Sequence, residues 1–86
     1  MDYFDMEFAR SAFKHEFKTS LQIRNLLLYR QLKRKQREDI DDIFLVLCVS
    51  DKGKPVLVIY EQISPTKIKI FHCMSLSSFE KWENIR

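Results

Sequence analysis

The sequence predicts a small α+β domain in which two N-terminal helices pack on a three-stranded antiparallel meander. A short C-terminal helix completes the predicted order ααβββα. The strongest observation is a series of strand-like apolar segments at residues 43–49, 55–63 and 67–73, separated by two short turns. Two further observations are apolar residues at helical spacing ahead of these segments and a pair of capping-box patterns that mark helix starts.

The first predicted helix covers residues 2–18. Within it Met6, Ala9, Phe13 and Phe17 recur at steps of three and four residues. This spacing brings side chains to one face of a helix. We therefore expect an aromatic stripe on this helix to pack against the sheet.

The second predicted helix begins at Thr19 and runs to about Arg37. Thr19 and Gln22 form a capping box, in which the two side chains satisfy backbone N–H groups at the first turn. The apolar side of this helix is predicted to consist of Leu21, Leu28 and Leu32, widened by Ile23, Leu26, Leu27 and Tyr29.

Two turns join the three predicted strands into a meander. Gly53 allows the left-handed backbone that a hairpin loop needs, and a proline in the second turn suits a type I turn. We predict that Leu47 pairs with Leu57 across the first turn. Across the second turn we predict that Ile63 pairs with Ile68.

The two outer strands of this meander have different patterns. The third strand alternates, and Lys67 and Lys69 are predicted to discourage further pairing at its edge. The first strand is apolar on both sides, so either the chain's own helices or another chain must cover it. In the second case Phe44, Val46 and Cys48 form an interface strand.

The C-terminal residues carry the second capping box. Ser77 and Glu80 form it, and they predict a short helix with Phe79, Trp82 and Ile85 turned inward. At 86 residues the chain is too short for two independent cores, so residues 1–86 are predicted to form one domain.

Composition narrows the class of protein. A chain that is 45% hydrophobic and 13% aromatic is too apolar to be disordered, and a net charge of +3 favours anionic partners only weakly. No apolar run is long enough to span a membrane, and the N-terminus lacks the basic pattern of a signal peptide. We expect a cytoplasmic protein that does not bind membranes.

No cofactor or metal is predicted. Cys48 and Cys73 are too few for a disulfide framework or a zinc site. The acidic run at residues 38–42 lacks the glycine that a calcium loop needs, which favours a solvated linker.

A basic ridge closes the second predicted helix. Four cations follow the helical spacing i, i+3, i+4, i+7 and would project from one stripe: Arg30, Lys33, Arg34 and Arg37. Such a stripe suits a phosphate backbone or an acidic protein surface. The alternative is a solvated helix end, because cations near a helix C-terminus are stabilised by the helix dipole.

His72 is the one residue considered for acid or base chemistry. The predicted register places it on the sheet face of Ile59 and Ile70, which favours a buried structural role. Adjacent residues of a strand point to opposite faces, so a Cys–His pair with Cys73 is disfavoured. No residue is assigned as catalytic, and an enzyme is not the favoured hypothesis.

The layout of residues 43–83 resembles the C-terminal half of small RelE-superfamily toxins, particularly the BrnT-like branch. The similarity lies in the segments 50–54, 56–60, 67–70 and 77–83, which match an antiparallel sheet followed by a short helix. The resemblance implies a ribonuclease or an inactive relative. In that family basic and polar residues after the last strands act on RNA, whereas the corresponding stretch here, residues 72–75, lacks the family's arginines.

Three hypotheses of function therefore remain open. The leading one is a non-enzymatic regulatory or inhibitory protein, of prokaryotic or phage type, that occupies a protein partner's surface. The reason for this hypothesis is that the chain has more apolar and aromatic residues than expected for its length. The alternatives are nucleic-acid binding through the basic ridge and a RelE-like ribonuclease or inactive relative. A second copy of the chain is a further candidate partner.

Overall fold

The described part of the chain contains a five-stranded mixed sheet, one α-helix and a short 3-10 helix. The computed structural model describes residues 5–14, 17–37, 39 and 42–75. The strand order is β1-β5-β4-β3-β2, with β1 parallel to β5 and the other pairs antiparallel. The elements in chain order are β1 (Asp5–Phe8), a 3-10 helix (Arg10–Phe13), α1 (Ser20–Tyr29), β2 (Gln31–Gln36), β3 (Ile43–Val49), β4 (Pro55–Ser64) and β5 (Lys67–Ser75).

The predicted fold class is wrong. The sequence predicts two helices on a three-stranded meander, whereas the described residues contain one α-helix and two additional strands, so that most of them are in strands. Both additional strands lie in the part of the chain that was predicted to be helical. Each of them joins one side of the predicted meander.

In the described part of the first predicted helix, the chain forms β1 and the 3-10 helix instead. In β1 the acidic residues Asp5 and Glu7 alternate with Met6 and Phe8, and this period of two fits a strand with one face inward. The apolar residues of this segment therefore fit both the spacing of a helix and the period of two of a strand. The strand period prevails because β5 offers backbone partners, among them the Ile70 carbonyl, which accepts a hydrogen bond from the amide N–H of residue 9 (2.9 Å).

The start of α1 confirms the predicted capping box. The Thr19 hydroxyl accepts a hydrogen bond from the Gln22 amide (3.3 Å), and the Gln22 side chain accepts one from the Thr19 amide (3.2 Å). The inward face differs from the prediction. The residues buried are Ile23, Leu26 and Leu27, whereas Leu21 and Leu28, predicted at the centre of the apolar side, are exposed.

The second predicted helix ends early, so the predicted basic helix is wrong. α1 ends at Tyr29, and residues 31–36 form β2 along β3. Between residues 31 and 37 the only apolar side chain is Leu32, so a longer helix would have no apolar stripe to bury. As a strand the same residues pair with the backbone of β3, which would otherwise be the sheet's edge.

Strands β3, β4 and β5 lie where the sequence predicted strands, and the two ends of β3 agree with the prediction. Leu47 pairs with Leu57, as predicted. The predicted register of the second hairpin is wrong by one residue. A bulge places Ile68 opposite Gln62, whereas the prediction placed it opposite Ile63.

A second irregularity lies between Ile70 and His72 in β5. Ile70 pairs with Tyr60, whereas His72 pairs with Ile59. Because neighbouring residues of β4 point to opposite faces, Ile70 and His72 also lie on opposite faces of the sheet. The prediction that they share a face is therefore wrong.

The sheet has two apolar faces. On the helix face, side chains from α1 and the 3-10 helix pack with strand residues, and Tyr60, Ile70 and Val58 are fully buried there. The opposite face holds a smaller buried cluster. Its residues are Leu45, Leu57, Ile59 and Met74, with Ile43 packed against them.

Two further predictions can be compared with the structure only in part, because some residues are not described. The predicted C-terminal helix, with Phe79, Trp82 and Ile85, lies outside the described residues. Within the described part, no helix has the length and apolar character needed to cross a membrane.

Candidate functional site

Strand β2 forms an outer edge of the sheet, and every one of its six residues is exposed. Lys33 and Lys35 pair with Leu47 and Leu45, so both lysines lie on the opposite face. Arg34 lies between them on the helix face. We call Lys33, Arg34 and Lys35 the cationic edge.

The predicted stripe of four cations does not form as predicted, because residues 31–36 are not helical. Only two of the four cations are in the cationic edge, and the other two are held by contacts outside β2. Arg30 donates a hydrogen bond to the Ser50 carbonyl (3.3 Å) and lines a groove of about 280 Å³ beside α1. Arg37 makes a two-point contact with the Asp39 carboxylate (2.6 and 2.9 Å).

Lys35 was absent from the predicted site. Helical spacing from Lys33 leaves Lys35 off the stripe, whereas a strand places residues i and i+2 on the same face. The strand therefore brings Lys33 and Lys35 together. Two features of the sequence could have revealed this pair. Lysine and arginine alternate over residues 33–35, and Leu32 is the only apolar residue between residues 31 and 37, so a helix there would have no apolar face.

Arg34 has a partner within the sheet. Its guanidinium lies 5.1 Å from the centre of the Phe44 ring, which itself stacks on Tyr60 with the ring centres 5.4 Å apart. A cation–π contact at such a site contributes about 0.5–1 kcal/mol. Arg34 thus covers the outer end of the core on the helix face.

The two lysines differ from Arg34. Neither Lys33 nor Lys35 forms an ion pair with another described residue. The opposite face below them is apolar, since their cross-strand neighbours are leucines. Within the described part of the chain, no carboxylate neutralises these two ammonium groups.

Exposed apolar side chains lie next to the cationic edge in the chain. Leu32, within β2 at a bulge, is 64% exposed, and Tyr29, at the end of α1, is 79% exposed. A protein partner could bury apolar side chains that are exposed to this extent.

Two lysines also lie on β5, next to the edge strand β1 on the other side of the sheet, and one of them, Lys67, is paired with carboxylates of β1. Lys67 Nζ lies 2.6 Å from Glu7 Oε1 and 4.0 Å from Asp5 Oδ2. The hydrogen bond from Lys67 lowers the pKa of Glu7, and the same bond raises the pKa of Lys67. Lys69 lies opposite Glu7 in the ladder and adds to the lowering. The prediction that Lys67 and Lys69 discourage pairing is therefore wrong, because the strand that pairs there is acidic.

The predicted interface strand lies inside the sheet. β3 is flanked by β2 and β4, so it is not an edge. Val46 and Cys48 are completely buried on the helix face, and Phe44 is half-buried beside them. The chain itself thus covers this strand, by β2 along its edge and by α1 over its face.

The residues considered for chemistry belong to β3 and β5, and none of them is part of the cationic edge. His72 is half-buried in β5, opposite Ile59. Cys48 and Cys73 are buried thiols, and burial raises the pKa of Cys48 to about 12, which keeps it neutral. Among the described residues, no group of three potential ligands is arranged to hold a metal ion.

Comparisons with known protein families, with characterised proteins and with solved structures found no match to this chain.

Proposed function

We propose that this chain is a non-enzymatic regulatory or inhibitory protein that binds the surface of an acidic protein partner. The observation that carries the proposal is the cationic edge, in which Lys33 and Lys35 are exposed on an outer strand and form no ion pair with another described residue. Opposite charge on the partner would speed association and select against basic competitors.

The exposed apolar residues favour a protein over a nucleic acid. A protein surface can bury Leu32 and Tyr29 while its carboxylates meet the lysines. Nucleic-acid binding remains the second candidate, since a run of cations also suits phosphates. The two candidates differ in their dependence on salt, because an interface that buries apolar area keeps part of its affinity when charges are screened.

A cytoplasmic location is part of the proposal. Its support is that Cys48 and Cys73 are thiols, since disulfides form and persist mainly in oxidising compartments.

Capture from an extract of the source organism tests the proposal with a matched pair of variants. Lys33→Glu with Lys35→Glu reverses the two exposed charges of β2. Lys52→Glu with Lys54→Glu makes the same change of net charge on the exposed turn between β3 and β4. We expect the first variant to lose a partner that the wild-type protein and the second variant retain.

Nuclease treatment of the extract separates the two candidates. A partner that survives nuclease treatment and is lost with the β2 variant supports the proposal. Loss of all capture after nuclease treatment, with retardation of single-stranded RNA by the wild-type protein alone, would favour the nucleic-acid candidate. Equal capture by both variants would contradict any role of the cationic edge.

Incubation with RNA tests the ribonuclease hypothesis. We expect the wild-type protein to leave RNA intact. Cleavage that His72→Gln abolishes without lowering the melting temperature would support a RelE-like activity instead.

A further inference from the structure

We infer that the partner binds β2 as an added strand, through an extended segment in which acidic and apolar residues alternate. This inference rests on the proposed function and specifies how the cationic edge is used. Strand addition uses the backbone of an edge strand for affinity and its alternate side chains for specificity.

The geometry of β2 fits an added strand. The Arg37 amide donates to the Ile43 carbonyl of β3 (2.8 Å). In an antiparallel ladder, residues alternately direct their backbone groups toward and away from the neighbour. The N–H and C=O of Gln36, one residue earlier, therefore point away from β3 and toward the outer side of the sheet.

The chain itself shows the chemistry that such a partner needs. At the other edge the segment Asp5-Met6-Glu7-Phe8 adds to β5 as a strand. Its two carboxylates lie on the side of Lys67 and Lys69, and its two apolar side chains pack against the helix-face core. An alternating acidic and apolar segment is therefore a strand that this sheet already accepts.

The two lysine pairs have equal spacing. Lys33 and Lys35 are two residues apart on one face of β2, as Lys67 and Lys69 are on β5. A partner segment with acidic residues at alternate positions can place both carboxylates beside Lys33 and Lys35. Its other side chains then lie on the side of Arg34 and Phe44.

A second copy of β2 fits this edge poorly. Pairing two β2 strands would bring lysines and arginines against one another, and like charges at cross-strand positions are destabilising. An acidic segment from another protein has the opposite effect. The charge of β2 thus selects among strands that could add to it.

The experiment uses synthetic peptides and the full chain. The probe is a capped peptide of alternating Glu and Val residues, as long as β2, and its charge control has Lys in place of Glu. Two further peptides carry N-methyl groups on alternate amides, one on the odd positions and one on the even positions. An added strand directs only one of these two sets toward β2.

We expect the acidic peptide to bind and its lysine control to fail. We expect one N-methylated peptide to bind like the parent and the other to lose at least about tenfold in affinity, because one set of backbone bonds is removed. Lys33→Glu with Lys35→Glu should weaken the parent peptide by about tenfold or more. Equal binding of both methylated peptides would overturn strand addition but leave charge recognition by the cationic edge intact.

Two variants of the protein at one position give a second test of strand addition. Gln36→Pro removes the outward N–H while keeping every cation, and Gln36→Ala keeps that N–H. We expect Gln36→Pro to lose peptide affinity and Gln36→Ala to retain it, with melting temperatures recorded for both. If the proline variant proves unfolded, the methylated peptides still decide the matter with the wild-type protein.

Other occupants would appear as distinct outcomes. Dimerisation of the protein alone that disappears with the Lys33 and Lys35 reversal would show a second copy at β2 and overturn the inference. Binding of single-stranded DNA but not of the acidic peptide would overturn it as well, together with the proposed function.

Discussion

The two lysine-bearing strands of the sheet, β5 and β2, differ in what lies beside them. β5 carries Lys67 and Lys69, and an acidic strand of the same chain pairs with it. β2 carries Lys33 and Lys35, and among the described residues nothing pairs with its outer side. Two lysines at the same spacing therefore lie on an inner strand at β5 and, among the described residues, on an edge strand at β2.

This difference separates a structural role from a binding role. Where β1 covers β5, alternate side chains of β1 are half-buried and the charge of Lys67 is matched by the carboxylates of Glu7 and Asp5. Along β2, all residues are exposed and the two lysines have no matched charge among the described residues. We therefore expect substitutions beside β1 to affect stability and substitutions on β2 to affect binding.

The largest expected contrast is between an inward residue of β5 and an exposed apolar residue of β2. Ile70→Ala should lower the free energy of unfolding by about 2–5 kcal/mol, because Ile70 is fully buried in the helix-face core. Leu32→Ala should change it by less than about 0.5 kcal/mol, because Leu32 is exposed. Urea denaturation of both variants measures the difference, and similar losses would show that β2 is as tightly packed as β5.

We expect a smaller contrast in melting temperature when the charge of one lysine is reversed on β5 and, separately, on β2. Lys67→Glu places three carboxylates together at β1 and β5 and should lower the melting temperature at low salt. Lys33→Glu should leave it unchanged or slightly raise it, because it relieves repulsion with Lys35. Thermal unfolding at low and high salt checks this, since screening should shrink the effect at Lys67. A larger loss for Lys33→Glu would contradict the assignment of roles.

The smallest expected effect is the pH dependence of the Glu7–Lys67 pair. The pKa of Glu7 is lowered by its hydrogen bond to Lys67, so the pair's contribution is present above the usual value of 4.5 and is lost as pH falls through the lowered pKa. The pKa of Lys67 is raised, so the contribution is also lost as pH rises through that raised pKa. The stability difference between wild type and Glu7→Gln should therefore be widest between these limits. A difference independent of pH would show that the charge interaction between Glu7 and Lys67 does not contribute to stability.

The inner strands were predictable because each carries its own evidence. β3 and β4 are apolar runs bounded by turn residues, and the left-handed backbone of Gly53 (φ 78°) fits the turn between them. The outer strands were not predictable in this way. β1 carries two apolar periods at once, and β2 consists of residues that favour helices in isolation, so pairing partners far along the chain decide both.

The candidate site, like the fold, could be predicted only in part. Lys33 and Arg34 were identified from their charge, and that charge does not depend on the fold. Their arrangement does, which is why Lys35 was missed and why Arg30 and Arg37 proved to be held by contacts outside β2. Position at the sheet's edge is a tertiary property, and spacing along one segment cannot reveal it.

The most direct test of the account follows backbone amide signals by NMR while the alternating Glu and Val peptide is added. We expect shifts concentrated in residues 31–36, with those of residues 5–8 unchanged, because β2 is cationic and no described strand pairs with its outer side, whereas the other edge strand, β1, is acidic and repels the peptide. Shifts centred on β1, or shifts spread evenly over the sheet, would contradict the assignment of β2 as the binding edge.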